Sequence, residues 1–117
     1  MQFLAARGAI VVPEDRREAV LDATSRLVSQ MMQRNGLVPA DLVSVIFTAT
    51  PDLRSVFPAE AARGLGLTSV PLLCAAEIDV EGAMARVVRV LMHFSSAQPI
   101  DVAHVYMDGA ESLRDDL

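Results

Sequence analysis

Four short apolar segments, rich in β-branched residues and separated by breaks at proline, glycine or polar residues, most constrain the fold of this chain. In chain order they are Phe3–Val12, Val43–Ala49, Val70–Glu77 and Val102–Met107. Each has the length of a strand, and β-branched side chains pack well on a pleated surface. The sequence therefore predicts four strands, with His104 and Tyr106 on one face of the last.

Three helical patterns lie between these strands. In the first, Pro13 takes the first helical position and Asn35-Gly36 supplies the stop. The residues between them that recur at helical spacing are Val20, Thr24, Leu27, Val28 and Met31. A second, short helix opens at Pro58 and ends at Gly64. The third is predicted from about Val80 to Phe94, with Asp79 as its N-cap.

This order predicts a single α+β domain over residues 1–117, with a mixed β-sheet and helices on one face. The second face and the edges of such a sheet need cover. Apolar residues make up 52% of the chain, a large share for so small a domain. We therefore expect some apolar surface to be buried against other subunits.

Composition excludes several classes of function. The net charge of −5 argues against a nucleic-acid partner, which requires a basic face. No apolar segment approaches the roughly 18 residues of a membrane span, and Arg7 interrupts the N-terminal stretch before it could act as a signal peptide. The single Cys74 excludes an internal disulfide. We expect a soluble, cytoplasmic protein with no membrane partner.

Two charged residues stand out in apolar surroundings: Glu77 where the third strand ends, and Arg89 inside the third helical pattern. Burying an unpaired ion away from water costs several kcal/mol of free energy, so each of these residues needs a partner. On spacing alone, Arg86, Arg89 and His93 form the solvated side of an amphipathic helix. Composition and spacing thus support only a small α+β protein, with or without an anion-binding pocket.

Cysteine and histidine chemistry is less favoured. Cys74 with His93 or His104 could form a nucleophile and base, but a strand cysteine among leucine and alanine is more often a small buried hydrophobe. The two histidines have no ligand-like spacing, so no metal site is predicted. The Gly64–Gly66 pair lacks the rest of a dinucleotide-binding fingerprint and is interpreted as a turn.

Several motifs, taken together, resemble the AroH-type monofunctional chorismate mutases. They occur in order along nearly the whole chain: "RGA" from Arg7, "ATPDL" from Ala49 with "FPA" from Phe57, "C..E.DV.G" from Cys74, "RV.M" from Arg89, "HVY" from His104 and "LR.DL" from Leu113. The resemblance implies the rearrangement of chorismate to prephenate, on the route to phenylalanine and tyrosine. It also implies a homotrimer with a barrel-like core, active sites between subunits, and no cofactor or metal.

The resemblance assigns roles to individual residues. Arg89 would stabilise negative charge on the ether oxygen in the transition state, and Arg7 would share that end and bind a carboxylate. Tyr106 would donate a hydrogen bond to a carboxylate. Glu77 would accept one from the ring hydroxyl, with Cys74 close by.

The remaining expected site residues line the cleft or its mouth. The wall would comprise Phe57, Ala59, Leu72, Leu73 and Leu113. Arg63 and Arg114 would attract the dianionic substrate to the mouth.

Three departures from the family pattern bear on activity. The segment 64–68 is one residue shorter, Glu60 stands where a basic residue is common, and Leu73 replaces a frequent threonine. Glu60 should weaken attraction of a dianion. Two alternatives stay open: a trimeric imine deaminase of the RidA-like type, and a non-catalytic trimeric relative that binds a small acid or a protein.

Overall fold

The computed structural model describes residues 1–116, with the side chains of residues 115 and 116 left aside. These residues form five strands: β1 Gln2–Val11, β2 Leu42–Ala49, β3 Leu72–Ala76, β4 Val87–Ser96 and β5 Val105–Met107. The same described residues form two α-helices: α1 Arg17–Arg34 and α2 Ala59–Gly64. Two short 3-10 helices cover Pro39–Asp41 and Glu111–Asp116. Leu117, which ends the last quoted motif, lies outside the described residues.

The five strands form one mixed sheet in the order β3-β2-β4-β1-β5. The central strand β4 is antiparallel to both β1 and β2. The outer pairs, β2 with β3 and β1 with β5, are parallel. The predicted mixed sheet and α+β class are therefore confirmed.

Both helices pack on the same face of the sheet. Helix α1 contacts β1, β5 and α2, and α2 also contacts β3. The helix residues predicted to face the core, from Val20 to Met31, are all buried. They pack against alternate strand residues, which are Ala6, Ile10, Val45, Phe47, Val88, Val90, Met92 and Phe94. The opposite face, which carries Arg7, Ile46, Thr48, Arg89 and Leu91, has no α-helix on it among the described residues; we call it the open face.

The third predicted helix is wrong. The chain from Val80 to Arg86 is a loop, with Gly82 and Arg86 at positive φ (81° and 54°). From Val87 onward it is the central strand of the sheet. Asp79 therefore caps no helix, and Arg86, Arg89 and His93 do not form a helical stripe.

The error has a simple geometric cause. Arg89 and His93 are four residues apart, and residues four apart share a face both in a helix and in a strand. The valines at 87, 88 and 90 decide between the two, because β-branched side chains favour strands. Strand burial then alternates as expected, with Val88, Val90 and Met92 buried.

Two other boundaries differ from prediction by three residues or more, and the rest by at most two. Helix α1 begins at Arg17 rather than at Pro13, and Arg16 takes the N-cap position with extended backbone. The last strand is three residues long, so it includes Tyr106 but not His104. Asn35 and Gly64 end their helices as predicted.

Side chains hold β5 in place beside β1. The Asn35 amide donates to the Ala103 carbonyl at 3.0 Å and accepts from the Ala103 N–H at 2.8 Å. His104 Nδ1 accepts a hydrogen bond from the Arg7 backbone N–H at 3.0 Å. The chain leading into β5 is thus tied both to the end of α1 and to β1.

No helix within residues 1–116 is both long enough and apolar enough to cross a bilayer.

Gly8 on β1 lies directly beneath α1, and we expect Gly8→Ala to destabilise the protein. A Cβ there would lie 2.5 Å from Met31 Sδ and 3.1 Å from Leu27 Cδ1. Overpacking of this kind costs about 1–3 kcal/mol. Chemical denaturation at a fixed protein concentration would measure the free energy of unfolding.

Gly64→Ala is the matched control for that substitution. Gly64 ends α2, and an added Cβ would have no atom within 4 Å. We expect no destabilisation from it, and equal losses in both variants would contradict close packing at Gly8.

Candidate active site

Arg89 lies on the open face in the middle of the central strand. Its strand neighbours Val88 and Val90 are buried against the helices, so its own side chain projects the other way. It pairs in register with Ala9 on β1 and Thr48 on β2. The side chain is 34% exposed, so the guanidinium is only partly solvated.

Glu77 lies one residue beyond the end of β3 and points at Arg89. Its Oε2 lies 3.1 Å from Arg89 Nε, and its side chain is only 16% exposed. The same carboxylate oxygen accepts a hydrogen bond from Thr48 Oγ1 at 2.6 Å. The Glu77 backbone N–H donates to the Ala49 carbonyl at 3.0 Å, which extends the β2–β3 pairing by one residue. Glu77 and Arg89 are therefore each other's partner, and Thr48 fixes the carboxylate between them.

Tyr106 and Arg7 lie on the same face. Tyr106 pairs with Ala9 in the parallel register, and Ala9 in turn pairs with Arg89. Arg7 is two residues before Ala9 on β1, so it projects to the same side. The small side chain of Ala9 thus separates Tyr106 from Arg89 across the sheet.

The Tyr106 hydroxyl is buried, yet it has no hydrogen-bond partner among the described residues. Buried hydroxyl groups in proteins nearly always have one, and exceptions call for an explanation such as a ligand or partner. The ring itself packs against a small apolar cluster of Ala9, Val87 and Ala110, which Leu113 also contacts. The orphaned hydroxyl marks this end of the open face as a place where a hydrogen-bonding group is missing.

A cleft of about 570 Å³ opens beside the Glu77–Arg89 pair. Its wall includes both residues, Thr50 and the loop 78–85. Asp15, Asp52 and Asp79 also line it, as does Arg54. A ligand bound in this cleft would therefore contact the Glu77–Arg89 ion pair.

A second cleft of about 660 Å³ holds a different part of the predicted site. Phe57, Cys74, Glu60 and Arg17 are among its lining residues. Phe57 is 73% exposed, an unusual position for a phenylalanine in a lone chain. Cys74 pairs in register with the buried Phe47, so its side chain leaves the sheet on the helix side, opposite to Arg89.

The other predicted lining residues are more scattered. Ala59 is buried at the start of α2, while Arg63, near its end, is exposed. Leu72 packs against the core, whereas Leu73 faces the open side of the edge strand and is 61% exposed. Arg114 is exposed. Within one chain, most of the predicted residues therefore fall into two groups: Arg7, Glu77, Arg89, Tyr106 and Leu113 in one, and Phe57, Ala59, Arg63 and Cys74 in the other. Leu72, Leu73 and Arg114 belong to neither group.

Asp15 organises the loop that separates the two clefts. Its Oδ1 accepts from the backbone N–H groups of Arg54 and Ser55 and from the Ser55 hydroxyl, at 2.5–3.1 Å. These hydrogen bonds, led by the Ser55 hydroxyl, lower the pKa of Asp15 below its usual range. The loop that carries Phe57 is thereby anchored just before α1.

Sequence reasoning missed Thr48, Asp15 and Arg17. All three act over long separations: Thr48 reaches Glu77, Asp15 reaches residues 54 and 55, and Arg17 reaches Glu60. A largely buried carboxylate such as that of Glu77 needs hydrogen-bond donors. This need was the only feature of the sequence that indicated a residue such as Thr48. Among the described residues, no group of three or more His, Cys, Asp or Glu side chains is arranged to hold a metal ion.

Comparison with known proteins settles the family. The family model for chorismate mutase type I matches residues 3–117. The chain belongs to that family. It is therefore an isomerase, and the resemblance inferred from its motifs is confirmed.

Named relatives agree with this assignment. Chorismate mutase AroH of Thermus thermophilus is 50% identical over 113 residues, covering 95% of this chain and 93% of the relative. Chorismate mutase AroH of Bacillus subtilis is 39% identical over 119 residues, covering 100% of this chain and 94% of the relative. The solved structure of a chorismate mutase from Clostridium thermocellum superposes with a TM-score of 0.90 at 41% identity, covering 93% and 98%.

We expect the Asp15 carboxylate to make stability depend on pH in the acid range. Because its pKa is lowered by folding, its contribution is present above the unfolded value of about 3.9 and is lost as pH falls through the folded value. Asp15→Asn should therefore lower Tm near neutral pH and flatten the loss of Tm below about pH 4. Thermal unfolding at a series of pH values measures both.

Ser55→Ala provides an internal comparison, because it removes only the hydroxyl donor to Asp15. It should reproduce part of the Asp15→Asn effect. A Tm curve for Asp15→Asn that parallels the wild type at every pH would show that this carboxylate does not anchor the loop.

Proposed function

We propose that the chain converts chorismate to prephenate by an intramolecular Claisen rearrangement, with Arg89 stabilising the transition state. The observation that carries this proposal is the Glu77–Arg89 pair, fixed by Thr48 on the open face beside a cleft. In this reaction the ether C–O bond breaks as a C–C bond forms, and no proton or electron enters or leaves. Catalysis then rests on conformational selection and on charge stabilisation.

Arg89 acts on charge that grows during the reaction. As the C–O bond lengthens, negative charge accumulates on the ether oxygen, and a guanidinium aimed there binds the transition state more strongly than the ground state. Only such a difference raises kcat. Glu77 holds the guanidinium at Nε and accepts a hydrogen bond from the ring hydroxyl of the substrate, and Thr48 keeps the carboxylate in place.

Arg7 and Tyr106 bind the carboxylates of the substrate. The buried Tyr106 hydroxyl lacks a partner among the described residues. It gains one when it donates a hydrogen bond to a substrate carboxylate. Arg7 lies on the same face and supplies a planar cationic fork suited to a carboxylate. Together they hold the compact, chair-like conformer that the rearrangement needs.

We further propose a homotrimer whose active sites lie between subunits. The open face presents the apolar side chains of Ile46, Leu91 and Leu73, and the last is 61% exposed. Arg89 and Cys74 leave opposite faces of one sheet. The group of Phe57 and Cys74 from one chain therefore meets the group of Arg89 and Glu77 from its neighbour.

The chemistry of the bound dianion needs no cofactor, because nothing is transferred to or from the substrate. Leu72, Ala59 and Leu113 form apolar wall around it, and Arg63 and Arg114 attract it to the mouth. A cytoplasmic location belongs to this proposal as well, since chorismate is an intracellular metabolite.

We expect Arg89→Ala to lower kcat by about a hundredfold or more, because loss of one transition-state donor typically costs about 3 kcal/mol. Arg89→Lys keeps the charge but loses the fork, so it should recover only part of the loss. The measurement is the disappearance of chorismate absorbance under steady-state conditions. Arg34→Ala is the control, since Arg34 lies at the far end of α1 and bonds only Gln30 among the described contacts.

An increase in KM alone for Arg89→Ala would contradict the mechanism, because it would assign Arg89 to simple substrate binding. Absence of turnover in the wild type would favour the non-catalytic alternative.

The interfacial site is tested by mixing two impaired variants. Arg89→Ala and Phe57→Asp damage different groups, so refolding a 1:1 mixture should restore activity at about one quarter of the sites, as random assembly into closed rings requires. Mixing Arg89→Ala with Arg7→Ala should restore none, because both come from the same group. Light scattering should give the mass of three chains, and a monomer mass with full activity would overturn the proposal.

A further inference from the structure

An ion pair at the rim of the second cleft, between Arg17 and Glu60, has no role in the mechanism above. Arg17 is the first residue of α1, and Glu60 lies in the first turn of α2. The contact is two-pronged: Nη1 donates to Oε2 at 3.1 Å, and Nη2 donates to Oε1. Both residues line the cleft that also contains Phe57 and Cys74.

Stability alone does not account for this pair. The side chains are 54% and 38% exposed, and an ion pair so open to water contributes little to folding. The arginine keeps the pKa of Glu60 below its ordinary value, so both partners stay charged at neutral pH. The pair therefore places a fixed, oriented guanidinium at the rim of the cleft.

The guanidinium has donors left for a second anion. It carries five N–H groups in a planar fork, and Glu60 takes two of them. A carboxylate already bound on one edge holds the fork in one orientation, which lowers the entropy cost of binding another anion on its remaining edge. Arg54 lines the same cleft, so the charged lining residues Arg17, Arg54 and Glu60 leave a net positive rim.

We infer that Arg17, oriented by Glu60, is a carboxylate-binding residue at the mouth of the active site. Glu60 stands where a basic residue is common in the family, and Arg17 supplies the positive charge that Glu60 lacks. The expectation that Glu60 weakens attraction of a dianion is thereby revised, because Arg17 offsets its charge. This inference rests on the proposed function.

The competing explanation is that the pair only clips α1 to α2. The two explanations differ in what happens when Glu60 loses its charge. A clip is broken equally from either side, so Arg17→Gln and Glu60→Gln would do equal harm. A binding cation is lost in Arg17→Gln but released in Glu60→Gln, which keeps an oxygen acceptor.

The experiment is steady-state kinetics with chorismate at low and high ionic strength. We expect Arg17→Gln to raise KM by about threefold or more, to weaken the salt dependence of kcat/KM, and to leave kcat nearly unchanged. Glu60→Gln should leave KM unchanged or lower it. Arg17→Lys should lie between Arg17→Gln and the wild type, because it keeps charge without the fork.

Arg16→Gln is the matched control. Arg16 is the preceding residue, is 66% exposed and pairs with Glu14 at 3.4 Å, but it does not line the cleft. Identical KM values for Arg16→Gln and Arg17→Gln would overturn the inference, as would an equal rise of KM in Glu60→Gln. Either result with an active wild type refutes the role of Arg17 alone, whereas an inactive wild type refutes the proposed function.

Discussion

The rest of this structure depends on a sheet that its own α-helices cover on one side only. Both α1 and α2 pack on the same face, so each strand must supply core residues on one side and something else on the other. In β4, Val88, Val90 and Met92 are buried beneath the α-helices, and Arg89 between them is not. A central strand can carry an arginine here because its second face is left for other partners, one of which is the carboxylate of Glu77.

That arrangement also determines which residues can act together. The chain projects Arg89 and Cys74 from opposite sides of the sheet, although both belong to one family pattern. Asp15 anchors the loop between the two clefts, and so sets the position of Phe57 relative to the ion pair. Within one chain, these two groups of predicted site residues therefore lie on different faces of the sheet.

Local signals in the sequence predicted much of the fold. Helix α1 follows from the spacing of Val20 to Met31, and its end follows from Asn35-Gly36, because these signals involve neighbouring residues. The error at β4 arose where local signals conflict: a four-residue spacing of polar groups fits a helix and a strand equally well. Only the β-branched valines favoured the strand. Valines pack well at the centre of a sheet, but the central position of β4 is determined by strands that are distant in the sequence.

The site was predictable to the same degree. The motifs identified Arg89 and Glu77 and implied that they act at one site, and the sheet brings them to 3.1 Å. Thr48 and Arg17 were not predictable, because nothing local distinguishes a threonine that holds a carboxylate from one that faces water. Their roles depend on register between β2 and β3 and on the contact of two helix ends, which are properties of the folded chain.

The attachment of β5 has a consequence for how the molecule moves. This strand is three residues long, lies at the edge of the sheet, and owes much of its anchorage to Asn35 and to the imidazole of His104. Short edge elements held by few hydrogen bonds open more readily than the strands at the centre of a sheet. The backbone amide hydrogens around Tyr106 should thus exchange with solvent through local opening. Those of β4 should exchange only when the whole sheet unfolds. One wall of the site therefore lies on β5, which opens locally, and the other lies on β4, which does not.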